Sequence, residues 1–277
     1  MIKMVDAQLA LSVYLRATAN QKVIQSFVET QQFDKIMVYC QKVGYTADWG
    51  LLLTNIVRVN PQGALDFAQK LAAADGVSLD YGVVADVFMQ HNCLQQATSF
   101  LLDVLKGDKP EEGPLQTRLL EMNLMAAPQA RRPAIAEAGV RRRLSPRLSP
   151  RLSPASAPQV ADAIMANEMF HHYDRPRIAM LCEKAGLAAR ALEHYDNVED
   201  MKRAMMRTEL IPPEFLVKFF GTLSVENAIE CLNHLLRTNM RQNLQTVIQV
   251  AREYSEQLGP DKLIEMFPSL DADADRR

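Results

Sequence analysis

Phe27-Val28-Glu29-Thr30-Gln31-Gln32-Phe33, Phe88-Met89-Gln90-His91-Asn92-Cys93-Leu94 and Leu181-Cys182-Glu183-Lys184-Ala185-Gly186-Leu187 are three copies of one degenerate unit. Each puts apolar or near-apolar residues at its first, second and seventh positions around a polar turn, the signature of a helix end, a turn and a helix start. The flanks agree. Val23, Ile24, Phe27 and Val28 lead into the first copy, Val83, Val84, Val87 and Phe88 into the second, and Leu94, Ala97, Leu101 and Leu105 lead out of it. Apolar residues spaced by three and four make one face of a helix, and Leu244, Val247, Ile248 and Ala251 repeat the pattern. Gly44, Asn60-Pro61, Gly113-Pro114, Pro212-Pro213 and Gly259-Pro260 interrupt it, so the helices are short and closely connected.

The copies begin 61 and then 93 residues apart. Setting aside 30 residues, 130–159, shortens the second step to 63, and two steps of about sixty residues suit two helical hairpins each. That segment reads as foreign. It carries Arg-Leu-Ser-Pro three times, from Arg143 to Pro154, and Ala127-Pro128-Gln129 before it recurs at its end as Ala157-Pro158-Gln159. It holds seven Arg against one Glu, a net charge of +6, while the rest of the chain has 24 basic and 32 acidic residues, net −8. We read it as an in-frame insertion of translated intron-like sequence and expect it to be disordered. Ser145, Ser149 and Ser153 stand in a context a kinase could accept, but an accidental repeat accounts for them more simply.

With 48% hydrophobic and 23% charged residues among 277, the chain can build a continuous core, and abundant Ala, Leu, Gln and Met favour helix. An acidic body is unsuited to nucleic acid, which needs a basic face. Cys40, Cys93, Cys182 and Cys231 are scattered without a CxxC pair, which suggests reduced cytosolic thiols rather than zinc or a disulfide scaffold. Neither a signal peptide nor a run long enough to span a bilayer is legible.

Candidate chemistry is sparse. His171-His172-Tyr173-Asp174 offers two imidazoles and a carboxylate but lacks ligand spacing, so a turn or helix-capping role outweighs a metal site. His91, His194 and His234 stand singly in helical patterns, without a nucleophile or orienting acid at recognisable spacing. The 11 Gly are dispersed and form no phosphate loop. Met201, Met205 and Met206 fit core filling better than an adaptable groove, and Trp49 reads as a helix anchor. We therefore expect no catalytic residue, no cofactor and no metal, and an all-α enzyme is the remote alternative.

Specific stretches resemble the heavy chain of clathrin: Lys22-Val23-Ile24-Gln25, Lys42-Val43-Gly44-Tyr45-Thr46 and, above all, the run from Glu112 to Met125, EGPLQTRLLEMNLM. The likeness resumes at Val160-Ala161-Asp162-Ala163-Ile164 and His172-Tyr173-Asp174-Arg175. It continues through Leu181 to Leu187, Arg190 to His194, and Arg241-Gln242-Asn243-Leu244-Gln245.

The resemblance implies an all-α fold, an α-solenoid of short hairpins from the near-propeller part of the leg. Its first part would cover 4–129 and its continuation 160–267, with a disordered tail at 268–277. It also implies a structural, non-enzymatic role in the polyhedral coat of coated pits and vesicles, on their cytoplasmic face, during endocytosis and intracellular transport. The partners implied are other heavy chains of the lattice, with light chains and adaptors engaged only through the propeller, proximal leg and hub that this sequence lacks. Association with the membrane would be peripheral, through the coat. A peptide-binding helical-repeat adaptor would use the same architecture and is the alternative reading.

Overall fold

The computed structural model describes residues 7–74, 79–126, 157–207 and 210–266. Expectations for the Arg/Ser/Pro-rich tract through 156, including its three serines, and for the tail at 268–277 lie outside these residues. The described residues form helices and turns, with no strand among them. They fall into two compact units, divided after Met122.

In the first unit α1 (Ala7–Arg16), α2 (Asn20–Glu29), α3 (Phe33–Val43), α4 (Trp49–Val59), α5 (Pro61–Ala73), α6 (Tyr81–Gln90) and α7 (Leu94–Val104) follow one another. A 3-10 turn at Pro110–Glu112 then leads into α8 (Gly113–Met125), within which the division falls. Helices pack as hairpins, α2 on α3, α4 on α5 and α6 on α7. Each also packs on the next helix but one: α2 on α4 on α6, and α3 on α5 on α7. Two layers result, a stack of even-numbered helices against a stack of odd-numbered ones. Between them sit the fully buried Ile36, Leu53, Ile56, Phe67, Phe88 and Phe100. A helix with one apolar stripe buries it only when a neighbour covers it, so the core runs on from hairpin to hairpin. This is an α-solenoid.

The second unit contains α9 (Ala157–Ala166), α10 (Arg175–Ala185), α11 (Ala188–His194), α12 (Val198–Met205), α13 (Pro213–Phe220), α14 (Val225–Glu253), α15 (Ser255–Leu258) and α16 (Pro260–Met266). Here α10 pairs with α11, α11 touches α12 and α13, and α12 and α13 both rest on α14. Helix α9 opens at Ala157, earlier than the 160 read from the sequence. Pro158 lies in its first turn, where its missing N–H breaks no helical bond.

Helix α14 is two helices in series. Asn239 has φ −155° and ψ 86°, outside the helical region. Its Oδ1 accepts from the Gln242 N–H at 3.3 Å while its Nδ2 donates to Gln242 Oε1 at 3.0 Å, a reciprocal cap that starts the second half. Asn243, buried, donates to the Leu235 carbonyl at 2.9 Å. Eight residues of straight helix would hold those groups roughly 12 Å apart along the axis, so the chain bends sharply at Asn239.

Capping explains the breakers. Asp48 caps α4 through the Leu51 N–H, Asn60 caps α5 through Gly63 with Pro61 in the first turn, and Ser224 caps α14 through Asn227.

The three-copy unit proves to be a turn with defined hydrogen bonds, and the structure corrects its register. In the first copy the Gln32 N–H reaches the Phe27 carbonyl at 2.8 Å, with Gln31 left-handed at φ 55°. In the second, Cys93 reaches Phe88 at 2.9 Å, with Asn92 at φ 57°. In the third, Leu187 reaches Cys182 at 2.8 Å, with Gly186 at φ 85°. The third copy therefore begins at Cys182 and not at Leu181, because the left-handed residue sets the register and apolar matching does not. Three further copies went unread: Ala19 to Tyr14 across Thr18, Tyr45 to Cys40 across Gly44, and Met169 to Ile164 across Glu168. Val83 and Ile248, assigned to apolar stripes by spacing, are exposed.

Candidate functional surface

The turn between α9 and α10 holds the histidine pair. His171 and His172 are exposed, and Asp174 caps α10 by accepting from the Arg177 N–H at 3.2 Å. Tyr173 points the other way. Its hydroxyl lies 2.6 Å from Nε2 of buried His194 on α11, and the two rings stack at 5.6 Å. His194 Nδ1 is 2.8 Å from the Arg190 carbonyl, which can only accept. Nδ1 therefore carries the proton, and Nε2 accepts from Tyr173. Burial lowers the His194 pKa and raises that of Tyr173, so both stay neutral and the pair ties the turn to α11.

Beside it, Arg190 donates from Nε to Asp162 on α9 at 2.7 Å and from Nη1 to Glu193 at 2.8 Å. A second cluster joins α10 to α12. Tyr195 donates to Glu183 Oε2 at 2.8 Å, and Arg203 donates to Glu183 at 3.2 Å and to Asp200 at 2.6 Å. Burial pushes the Glu183 carboxyl up, but the bonds from Tyr195 and Arg203 outweigh it and hold the pKa below the ordinary range. Burial and the neighbouring Glu183 push Tyr195 up to about 12.

Five ion pairs share one topology. Asp34 on α3 meets Lys70 on α5, and Asp86 on α6 meets Arg118 on α8. Asp162 on α9 meets Arg190 on α11, Glu183 on α10 meets Arg203 on α12, and Lys202 on α12 meets Glu230 on α14. Each joins a helix to the next but one. Exposed pairs of this kind contribute about 0–1 kcal/mol each, so they set the register of successive hairpins more than they hold them together. Spacing alone did not reveal them, because opposite charges tens of residues apart are common until the hairpin length is known.

The thiols are inert. Burial pushes Cys182 up to about 12 and Cys231 up to about 11, and raises Cys40 and Cys93, so the nucleophilic thiolate is suppressed at neutral pH. Cys182 lies 3.9 Å from the Met165 sulfur in the core. Met201 and Met205 are also core, whereas Met206 is 60% exposed. Trp49 packs on Phe67 of α5 at 6.3 Å between ring centroids. Among the described residues no group of three His, Cys, Asp or Glu is arranged to hold a metal ion. No described helix is long and apolar enough to cross a membrane.

Two of the hollows on these surfaces are lined in good part by apolar side chains. One, of about 570 Å³, runs between α2 and α4 over Ile24, Val28 and Leu52, with Leu51 and Val59 exposed on its lip. The other, of about 600 Å³, lies in the second unit over Met201, with Phe215 and Phe219 stacked at its wall. The first is lined by no Ser, Cys or His. Both suit the reception of apolar side chains rather than bond-making chemistry.

Hairpins that pack on their neighbours and on the next helix but one, joined by repeated left-handed turns, define a helical-repeat protein. The chain belongs to the family described as the region in clathrin and VPS, whose family model matches residues 76–244. It is 48% identical over 270 residues to clathrin heavy chain 2 of Homo sapiens, covering 98% of this chain and 15% of the relative. It is 49% identical over 267 residues to clathrin heavy chain of Drosophila melanogaster, covering 96% and 14%. Against probable clathrin heavy chain 1 of Caenorhabditis elegans it is 50% identical over 271 residues, again covering 96% and 14%. The chain thus spans about one-seventh of the length of these relatives.

Proposed function

We propose that the chain serves as a leg segment of a clathrin-type coat, a non-catalytic scaffold that joins other heavy chains in the lattice on the cytoplasmic face of coated pits and vesicles. The observation that carries the reading is the stack of hairpins tied helix to next-but-one helix, in a chain about half identical to clathrin heavy chains over nearly its whole length. Such a stack resists bending locally and offers polar flanks for many weak contacts, which sum to a reversible assembly. We also propose that residues 130–156 interrupt this solenoid without contributing to it. The duplicated tripeptide supports this: Ala127-Pro128-Gln129 recurs as Ala157-Pro158-Gln159, so the sequence without 130–159 still sets Ala-Pro-Gln before Val160.

The test is co-assembly. Heavy chains released from coated vesicles are allowed to rebuild cages with the purified chain present, and the cages are pelleted. The chain is expected in the pellet in proportion to cage mass. A chain left in the supernatant, or one that captures a short peptide tightly while ignoring cages, would sink the coat reading in favour of a peptide-binding adaptor.

A further inference from the structure

Four glycines hold positions that no turn requires. Gly50, Gly63 and Gly82 lie in the first turns of α4, α5 and α6, and Gly221 ends α13 at φ −66° and ψ −17°. None of them uses the left-handed backbone that glycine adopts freely. What they share is a close neighbour. A Cβ on Gly63 would stand 2.5 Å from Phe33 Cε2, and one on Gly221 would stand 2.5 Å from the Tyr254 hydroxyl oxygen and 2.6 Å from its Cζ. A Cβ on Gly50 would lie 3.7 Å from Val83 Cγ1, and one on Gly82 would lie 3.7 Å from Leu115 Cδ2. The first two distances are far inside van der Waals contact, and the last two are ordinary contacts.

Each contact joins a helix to the next but one. Phe33 on α3 meets α5, Val83 on α6 meets α4, and Leu115 on α8 meets α6. Tyr254 follows the second half of α14, which runs beside α13 beyond the bend, with Gln249, Arg252 and Glu253 facing Glu214, Val217 and Lys218. Two of the slots belong to a sequence repeat with a step of 32 residues, Asp48-Trp49-Gly50-Leu51 and Asp80-Tyr81-Gly82-Val83. In both copies the Asp caps the helix, and the aromatic ring packs on a phenylalanine of the following helix, Trp49 on Phe67 and Tyr81 on Phe100. The glycine of each copy then takes a side chain from two helices further on.

We propose that these glycines are slots that set the pitch of the solenoid, each seating a side chain of the next-but-one helix against backbone, tightly at Gly63 and Gly221 and loosely at Gly50 and Gly82. The exposed ion pairs choose which residues of successive hairpins align. A ring against backbone fixes how closely the helices approach, because a packed contact is barely compressible. In a stack where each hairpin touches only its neighbours, a wedge in one slot displaces the hairpins beyond it as a body and leaves their helices intact. The consequence for assembly rests on the coat reading: a fixed pitch gives the leg the shape that its lattice neighbours accept.

The experiment compares alanine variants of the full chain by urea unfolding, with circular dichroism to check helix content. Helix propensity alone favours alanine over glycine, by about fivefold in the folding equilibrium at an interior position. The slots reverse the sign: Gly63→Ala and Gly221→Ala are expected to lower the folded-to-unfolded ratio about tenfold, whereas Gly50→Ala should leave it unchanged or raise it. Trimming the inserted ring should relieve the wedge, so Gly221→Ala costs less in a Tyr254→Ala background than in the wild type, a coupling that a double-mutant cycle reads. In the cage assay Gly221→Ala, with its helix content intact, should enter cages less than the wild type, and the double variant should regain uptake. Alanine that stabilises at Gly63 and Gly221 as it does at Gly50, or a cost untouched by trimming Tyr254, would overturn the slots. Equal cage uptake of the wild type and Gly221→Ala would overturn their part in assembly while leaving the coat reading intact. Exclusion of the wild type itself would strike the coat reading, and the unfolding results would still decide the slots.

Discussion

Left-handed residues are where single side chains decide most in this fold. Six turns rest on one, and only Gly44 and Gly186 among them adopt the conformation without a Cβ to crowd. Glu168, at φ 49°, carries strain of about 1–2 kcal/mol that glycine would relieve, less about 0.5–1 kcal/mol of extra chain entropy. Glu168→Gly should therefore stabilise by about 0.5–1 kcal/mol in urea unfolding. Gly186→Ala should destabilise by a similar amount although open space surrounds the new methyl. A loss on Glu168→Gly would contradict the strain argument. His194 makes a second residue-scale prediction. Its folded pKa lies below the ordinary 6.5, so as pH falls from above 6.5 the unfolded chain binds a proton that the folded chain refuses. Stability falls through that window and levels off once the folded form is protonated too. His194→Leu should flatten the decline in melting temperature between pH 7.5 and 5.5, and an unchanged slope would show that other groups carry it.

At the scale of elements, boundaries followed from local chemistry and one long helix did not. Asp48, Asn60, Asp174 and Ser224 are legible as caps because a short polar side chain before an apolar stripe satisfies an N–H the helix cannot. The bend at Asn239 has neither Gly nor Pro to announce it. It is held by a buried bond from Asn243 to Leu235 across the bend. Asn243→Ala should cost about 1–3 kcal/mol by removing the buried bond that spans the bend, whereas exposed Gln245→Ala should stay within about 0.5 kcal/mol. Equal effects in thermal unfolding would mean that the bend does not depend on that bond. Val83 and Ile248 teach the same lesson in reverse: the 3.6-residue spacing finds a stripe but not its width, and the neighbouring helix decides which edge is covered.

For the molecule as a whole, quasi-one-dimensional packing predicts tolerance. Each hairpin depends on its neighbours and not on distant ones, so joining Gln129 directly to Val160 should leave the circular-dichroism signal of the remaining helices and the midpoint of their urea unfolding unchanged. A large drop in helix content on that deletion would show that residues 130–159 belong to the solenoid. The ion-pair ladder acts at this scale too, because each of its five members reads the distance between a hairpin and the next.

Periodicity, turn residues and caps are properties of a few neighbouring residues, and so the sequence by itself determined an all-helical repeat of short hairpins and its resemblance to clathrin heavy chains. The register of the third turn, the Tyr173–His194 bond, the five next-but-one ion pairs and the exposure of Leu51, Val59 and Ile248 were decided only in the tertiary structure. Each depends on which helix lies against which, and that is settled by the burial of apolar stripes between hairpins rather than by any local preference.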